Sequence, residues 1–196
     1  MNEVLIATNN EGKVRDFEAL FLPLGVTVRS LKDMPEYIEI EETGVTFEEN
    51  AILKAEGAAK LLQMPVIADD SGLEIDALNG EPGVYSARYA GDHDDEANID
   101  KVLTKMKDIP QAERTGRFVC VLAIAGPNIP TQTFEGTCEG SILYDRKGTY
   151  GFGYDPIFFV EEKEKSMAEL TPEEKGEISH RGVAMRKLEN TFNQLL

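Results

Sequence analysis

Short apolar runs alternate with helical periodicity from the start of the chain. Residues 3–8 are mostly apolar, as a strand buried on both faces would be. Asn9-Asn10-Glu11-Gly12 breaks that run. From Lys13 the apolar positions Val14, Phe17, Leu20 and Phe21 recur at helical spacing until Pro23 and Gly25 end the pattern. Stretches 26–31 and 37–40 read as short strands around a Lys32-Asp33-Met34-Pro35 turn. Thr46 with Glu49 predicts a capping box, and Phe47, Ala51, Ala55, Ala58 and Leu62 line one face of the helix that follows, closed by Pro65. Val66-Ile67-Ala68 is a strand expected to deliver Asp69-Asp70-Ser71-Gly72 at its carboxyl end, with a separate strand over 73–76 and an Asn79-Gly80 turn behind it. A helix is expected over 96–106. Long strands over 117–125 and 131–144 are joined by Gly126-Pro127-Asn128, which predicts an antiparallel pair. The last helix runs from Ser179 as N-cap to Leu196, with Val183, Met185, Leu188, Phe192 and Leu195 as its apolar face.

Strands and helices alternate early and a strand pair follows, so the pattern predicts an α/β protein with a mixed sheet. The chain shows no internal repeat, low-complexity tract or long linker, and 196 residues with 41% apolar content suit a single domain over 1–196. The segments 91–95 and 161–165 are the candidates for flexibility. No apolar run is long enough to cross a bilayer, and Met1-Asn2-Glu3-Val4 lacks the features of a signal peptide, so a cytoplasmic location away from membranes is expected. Cys120 and Cys138 have neither paired spacing nor histidine neighbours, and are expected as reduced, buried thiols.

A formal net charge of −16 argues against nucleic acid as a partner, since sequence-independent binding to it draws on basic surface. The same charge would repel a small polyphosphate unless lysines, arginines and a divalent cation gather locally. Three segments carry that chemistry. The turn Thr8, Asn9, Asn10, Glu11, Gly12, Lys13 leads backbone amides into a helix start, where unpaired donors and the helix dipole favour phosphate. It lacks the spacing of a Walker A loop, and an Asn-rich turn that simply caps a helix explains it equally well.

Asp69-Asp70 is a stronger signal, because adjacent acids at the end of an apolar strand are costly to bury without a cation. Strand alternation sends the two side chains to opposite faces, and Asp70, beside Ser71-Gly72, is the one expected at the reaction site. Glu41-Glu42 before Gly44 offers a second carboxylate to a Mg²⁺ ion, or is a solvated acidic turn. Gly151-Phe152-Gly153-Tyr154-Asp155-Pro156 suits stacking of a planar base and acceptance of a hydrogen bond from its edge, or is a bulge that carries core aromatics. Lys175 and Ser179-His180-Arg181 place cationic groups near a helix start, where cations are unfavourable without an anion. Lys54 with Asn50 four residues before it forms a polar pair on one helix face, either directed at the site or at the surface.

These segments, taken in order with Tyr85-Ser-Ala-Arg88, resemble the inosine/xanthosine triphosphate pyrophosphatase family over nearly the whole chain. The resemblance implies an elongated mixed β-sheet flanked by helices, in two lobes with a central cleft, and usually a homodimer. It implies hydrolysis of ITP, dITP and XTP to the monophosphate and pyrophosphate with Mg²⁺. On matching positions, Thr8, Asn9, Asn10, Glu11, Gly12 and Lys13 would hold the polyphosphate, and Asp70 would be general base and metal ligand. Glu41 would be the other metal ligand and Lys54 a catalytic cation. Ser71, Phe152, Gly153, Tyr154, Asp155, Lys175, His180 and Arg181 would contact substrate, with Arg181 donating to the keto edge of the base. Thr149-Tyr150 departs from the further glycine often found before this loop.

Two other readings compete: a Maf-like pyrophosphatase for pyrimidine or methylated nucleotides, and a sensor that binds nucleotide without cleaving it. Better turnover of UTP or dTTP would favour the first. A missing catalytic acid would favour the second, and Asp70 is present.

Overall fold

A computed structural model describes residues 3–35 and 38–195, with 191–195 as backbone only. In chain order it contains β1 (Glu3–Ile6), α1 (Glu11–Phe21), β2 (Thr27–Ser30), α2 (Phe47–Leu62), β3 (Val66–Ile75), α3 (Asp95–Lys105), β4 (Thr115–Gly126), β5 (Ile129–Ile142), β6 (Phe158–Val160), β7 (Lys165–Ser166), α4 (Pro172–Ile178) and α5 (His180–Leu195). The strands form one seven-stranded sheet in the order β2-β1-β3-β4-β5-β6-β7. β1 is parallel to both neighbours, β2 and β3, whereas β6 is antiparallel to β5 and to β7. β4 and β5 are sheet neighbours joined through Pro127 and Asn128, a connection too short for anything but an antiparallel pair. The mixed α/β architecture expected from the pattern is therefore present.

Contacts within the chain group into two compact units. The first comprises the described residues up to Asp70, Cys120–Gly136 and the residues from His180 on. Its core joins Val4 and Ile6 of β1, Phe17 and Phe21 of α1, Ile67 of β3, Cys120, Leu122 and Ile124 of β4, and Ala184, Met185 and Leu188 of α5. The i, i+2 spacing in β4 is the signature of one sheet face. The second unit comprises Ser71–Val119 and Thr137–Ser179, with a core that includes Leu73, Ile75, Ile99, Val102, Phe118, Tyr154 and Phe158.

Several local expectations change. Residues 66–76 do not form two short strands: β3 runs unbroken from Val66 to Ile75, so the paired acids sit inside a strand. Burial of both acids is tolerated there because cations and an amide meet them, as described below. α1 begins at Glu11 rather than Lys13, since the Asn10 side chain accepts the Lys13 amide and caps the helix earlier. The Thr46 cap accepts the Glu49 amide at 3.1 Å, but Glu49 reaches back to the Val45 amide at 2.7 Å rather than to that of Thr46. Tyr37 of the strand expected at 37–40 lies outside the described residues, and 38–40 are irregular. Lys175 belongs to a separate short helix, α4, whose start is a full Thr171–Glu174 capping box. Of the apolar face expected on the last helix, Phe192 and Leu195 lie outside the described side chains, and Leu196, the expected helix end, lies outside the described residues.

Candidate active site

In the first unit the turn after β1 is held by its own side chains. Thr8 Oγ1 accepts the Asn10 amide at 3.1 Å, and Asn10 Oδ1 accepts the Lys13 amide at 3.1 Å. Gly12 is buried and Asn9 exposed. Glu11 is exposed too, and pairs with Lys32 at 2.7 Å. Lys13 turns inward, with Nζ 3.2 Å from Asp69 Oδ2. The first turn of α1 thus carries a lysine whose amide is capped by Asn10 and whose ammonium pairs with Asp69.

Asp69 shares its face of β3 with Ile67, by alternation, and is completely buried. Arg181 Nη2 donates to Asp69 Oδ2 at 3.1 Å, and Arg181 Nη1 donates to Asp16 Oδ2 at 2.5 Å. The guanidinium also lies 5.7 Å from the centre of the Phe17 ring. Burial works against the Asp69 carboxylate, but Lys13, Arg181 and Lys54 together overcome it and hold its pKa far below the usual range. Burial likewise opposes the Arg181 charge, and Asp69 and Asp16 outweigh it. Arg181, expected at a base edge, is here a buried clamp between two carboxylates.

Asp70 points to the other face. Asn50 Nδ2 donates to Asp70 Oδ2 at 3.1 Å, and Lys54 Nζ lies 4.0 Å from Asp70 Oδ1 and 2.5 Å from Glu42 Oε1. Burial raises the Asp70 pKa, and the opposing pull of Lys54 and Lys13 does not cancel it. For Lys54, burial favours loss of the proton, but Asp69, Asp70 and Glu42 keep it charged. Lys54 is therefore a buried cation, not a surface lysine. Of the two neighbouring glutamates, Glu41 is exposed and Glu42 is the one that reaches Lys54. His180 and Arg181 open α5 and are both buried, and Ser71, half-buried, follows Asp70 along β3.

The second unit builds the aromatic loop. Asp155 Oδ2 accepts the Phe152 amide at 3.1 Å and a proton of Lys175 Nζ at 2.9 Å, while Nζ lies 4.8 Å from the centre of the Phe152 ring. The Gly153 amide donates to Asp95 Oδ2 at 2.7 Å, and Gly153 has φ of +59°, which glycine adopts without strain. Tyr154 is a core aromatic: its ring packs in the second core and its hydroxyl donates to the Ser86 carbonyl at 2.6 Å. Phe152, half-buried, is the aromatic of this loop with an accessible ring.

Asp16 and Asp95 were not singled out as site residues from the sequence, whereas Glu42 and Asn50 were named there only as neighbours of the candidates Glu41 and Lys54. Asp16 lies one helical turn after Lys13, and Asn50 one turn before Lys54, so helical spacing carried a signal for both. Asp95 lies in the first turn of α3, where an acid reads as ordinary helix chemistry.

The donor set around Lys54 suits a hard divalent cation. Asp70 and Glu42 supply carboxylate oxygens, and since burial raises the Asp70 pKa despite Lys54 and Lys13, a cation bound there would favour its charged form. Among the described residues no group of three or more His, Cys, Asp and Glu side chains could hold a metal by itself. Such an ion would complete its shell with water and phosphate oxygens, as Mg²⁺ commonly does. Cys120 and Cys138 are free and buried, and burial pushes their thiols up to about 12 and about 11. Among the described residues no helix is long and apolar enough to cross a membrane.

The Ham1 family model matches residues 4–191. A dITP/XTP pyrophosphatase of Geobacillus kaustophilus is 53% identical over 197 residues, spanning 100% of this chain and 97% of that protein. One of Bacillus subtilis is 57% identical over 189 residues, spanning 96% of each. The solved Ham1 protein of Staphylococcus aureus superposes with a TM-score of 0.86 at 49% identity, covering 99% of this chain and 100% of that one. A HAM1 protein from Coxiella burnetii gives the same TM-score of 0.86 at 40% identity, with 99% and 100% coverage. Matched almost end to end in both sequence and fold, the chain belongs to the Ham1 family.

Proposed function

We propose that this chain is a nucleoside triphosphate pyrophosphatase that hydrolyses ITP, dITP and XTP to the monophosphate and pyrophosphate. The activity named for its relatives supports the reading, and one observation carries it here: two lysines and two aspartates packed around β3, with Asp70 backed by Asn50. Lys13 and the amides that open α1 bind the phosphates, and Lys54 counters charge that builds up as the α–β bond breaks. Asp70 takes the proton of the attacking water at its carboxylate, a role that its raised pKa suits. Bound at Asp70 and the 41–42 acids, Mg²⁺ would withdraw charge from the phosphates. Phe152 stacks on the base, and the Lys175–Asp155 pair faces a keto and N1-H edge better than the amino edge of adenine. Ser71 and His180 are further proposed substrate contacts, and 1–196 one cytoplasmic domain acting as a homodimer.

Pyrophosphate release measured across ITP, XTP, GTP, ATP and dTTP, with and without Mg²⁺, tests this. Mg²⁺-dependent turnover of ITP and XTP is expected, and equal turnover of dTTP would sink the purine assignment.

A further inference from the structure

Asn50 is completely buried at the fourth position of α2, and a buried amide is costly unless its polar groups are met. Both ends are used. Nδ2 donates to Asp70 Oδ2 at 3.1 Å, and Oδ1 accepts the Gly44 amide at 2.8 Å. Gly44 closes the acid-bearing segment Glu41-Glu42-Thr43, and Glu42 meets Lys54, one turn further along α2, which in turn lies 4.0 Å from Asp70 Oδ1. The contacts form a closed ring: Gly44, Asn50, Asp70, Lys54, Glu42 and back along the chain to Gly44. Gly44 has no room for a side chain, since a Cβ there would lie 2.6 Å from Asn50 Oδ1 and 2.7 Å from Glu49 Cβ.

We infer that Asn50 is a positioning residue which locks the 41–44 segment to Asp70, so that the acids of that segment and the general base keep one fixed geometry. The inference rests on the reading of Asp70 as the base. An amide is suited to the place. Its donor orients the carboxylate and turns Oδ1 toward Lys54, while its acceptor anchors the backbone just past the two glutamates. A carboxylate at position 50 would set a second negative charge against Asp70, and a longer glutamine would not fit a fully buried position.

The test compares Asn50→Leu, close in size and without polar groups, with Gly44→Ala, which touches Asp70 only through Asn50. In both, kcat for ITP should fall about 10- to 100-fold, the usual cost of losing an orienting partner, with KM within about twofold of wild type. The double variant should lose little more than either single one, because both break one connection. Hydrogen exchange of 41–46, read without substrate, should quicken in both. Wild-type kcat in the folded variants, a rise in KM alone, multiplied losses in the double variant, or unchanged exchange would each overturn the inference. Retained turnover in Asp70→Asn would instead sink the functional reading, and the exchange measurement would still decide whether Asn50 ties the segment down.

Discussion

The two faces of β3 treat adjacent aspartates in opposite ways. On one face Asp69 is enclosed by Lys13 and Arg181, with Asp16 completing the group, so two cations balance two carboxylates. On the other, Asp70 meets an amide and one lysine at 4.0 Å that Glu42 also claims. Burial is severe for both, yet the pKa of Asp69 falls and that of Asp70 rises. The difference lies in compensation, not in burial: the charges around Asp69 outweigh its desolvation, whereas those around Asp70 do not, and a buried carboxylate with a raised pKa suits the general-base role proposed for Asp70.

The strongest way to break this comparison is in activity. Asp70→Asn should cut kcat for ITP by about 10³-fold, within the range for loss of a general base, with secondary structure intact by circular dichroism. A residual rate near wild type would remove Asp70 from the chemistry. Asp69→Asn should act on stability. Losing one partner of a buried ion cluster costs about 3–5 kcal/mol in urea unfolding at pH 7. A cost below about 1 kcal/mol would show that Arg181 and Lys13 do not need Asp69.

A smaller effect has the reverse sign. Without divalent cation, Asp70→Asn should stabilise the fold at pH 7 by about 1 kcal/mol, because it removes a charge that burial disfavours. The pH dependences then sharpen the contrast. Asp69 has a lowered native pKa, so its stabilisation is complete above about pH 5 and fades as pH falls below about 4, where the unfolded chain takes up the proton first. Asp70 has a raised native pKa, so wild type recovers stability as pH falls through that value, and the advantage of Asp70→Asn should vanish below about pH 4. Parallel pH curves for the two variants would erase the distinction.

Much of this was legible along the chain. Period-2 alternation already separated Asp69 from Asp70, the Asn-rich turn marked the start of α1, and the 3.6-residue period found α2 with its Thr46 cap. Less legible was which acid partners which cation. Glu41 and Glu42 are indistinguishable as neighbours in sequence, and only the folded chain shows that Glu42 is the one that meets Lys54. Arg181 looks like a ligand donor until α5 brings it between Asp16 and Asp69, residues 165 and 112 positions away. Likewise Phe152 and Tyr154 read alike, but packing consigns Tyr154 to the core.

Local chemistry, then, determined the elements and the residue types at the site, since propensity, capping and periodicity act over a few neighbouring positions. The tertiary structure alone decided the pairings, because charge compensation depends on distance in space between residues that no periodicity links.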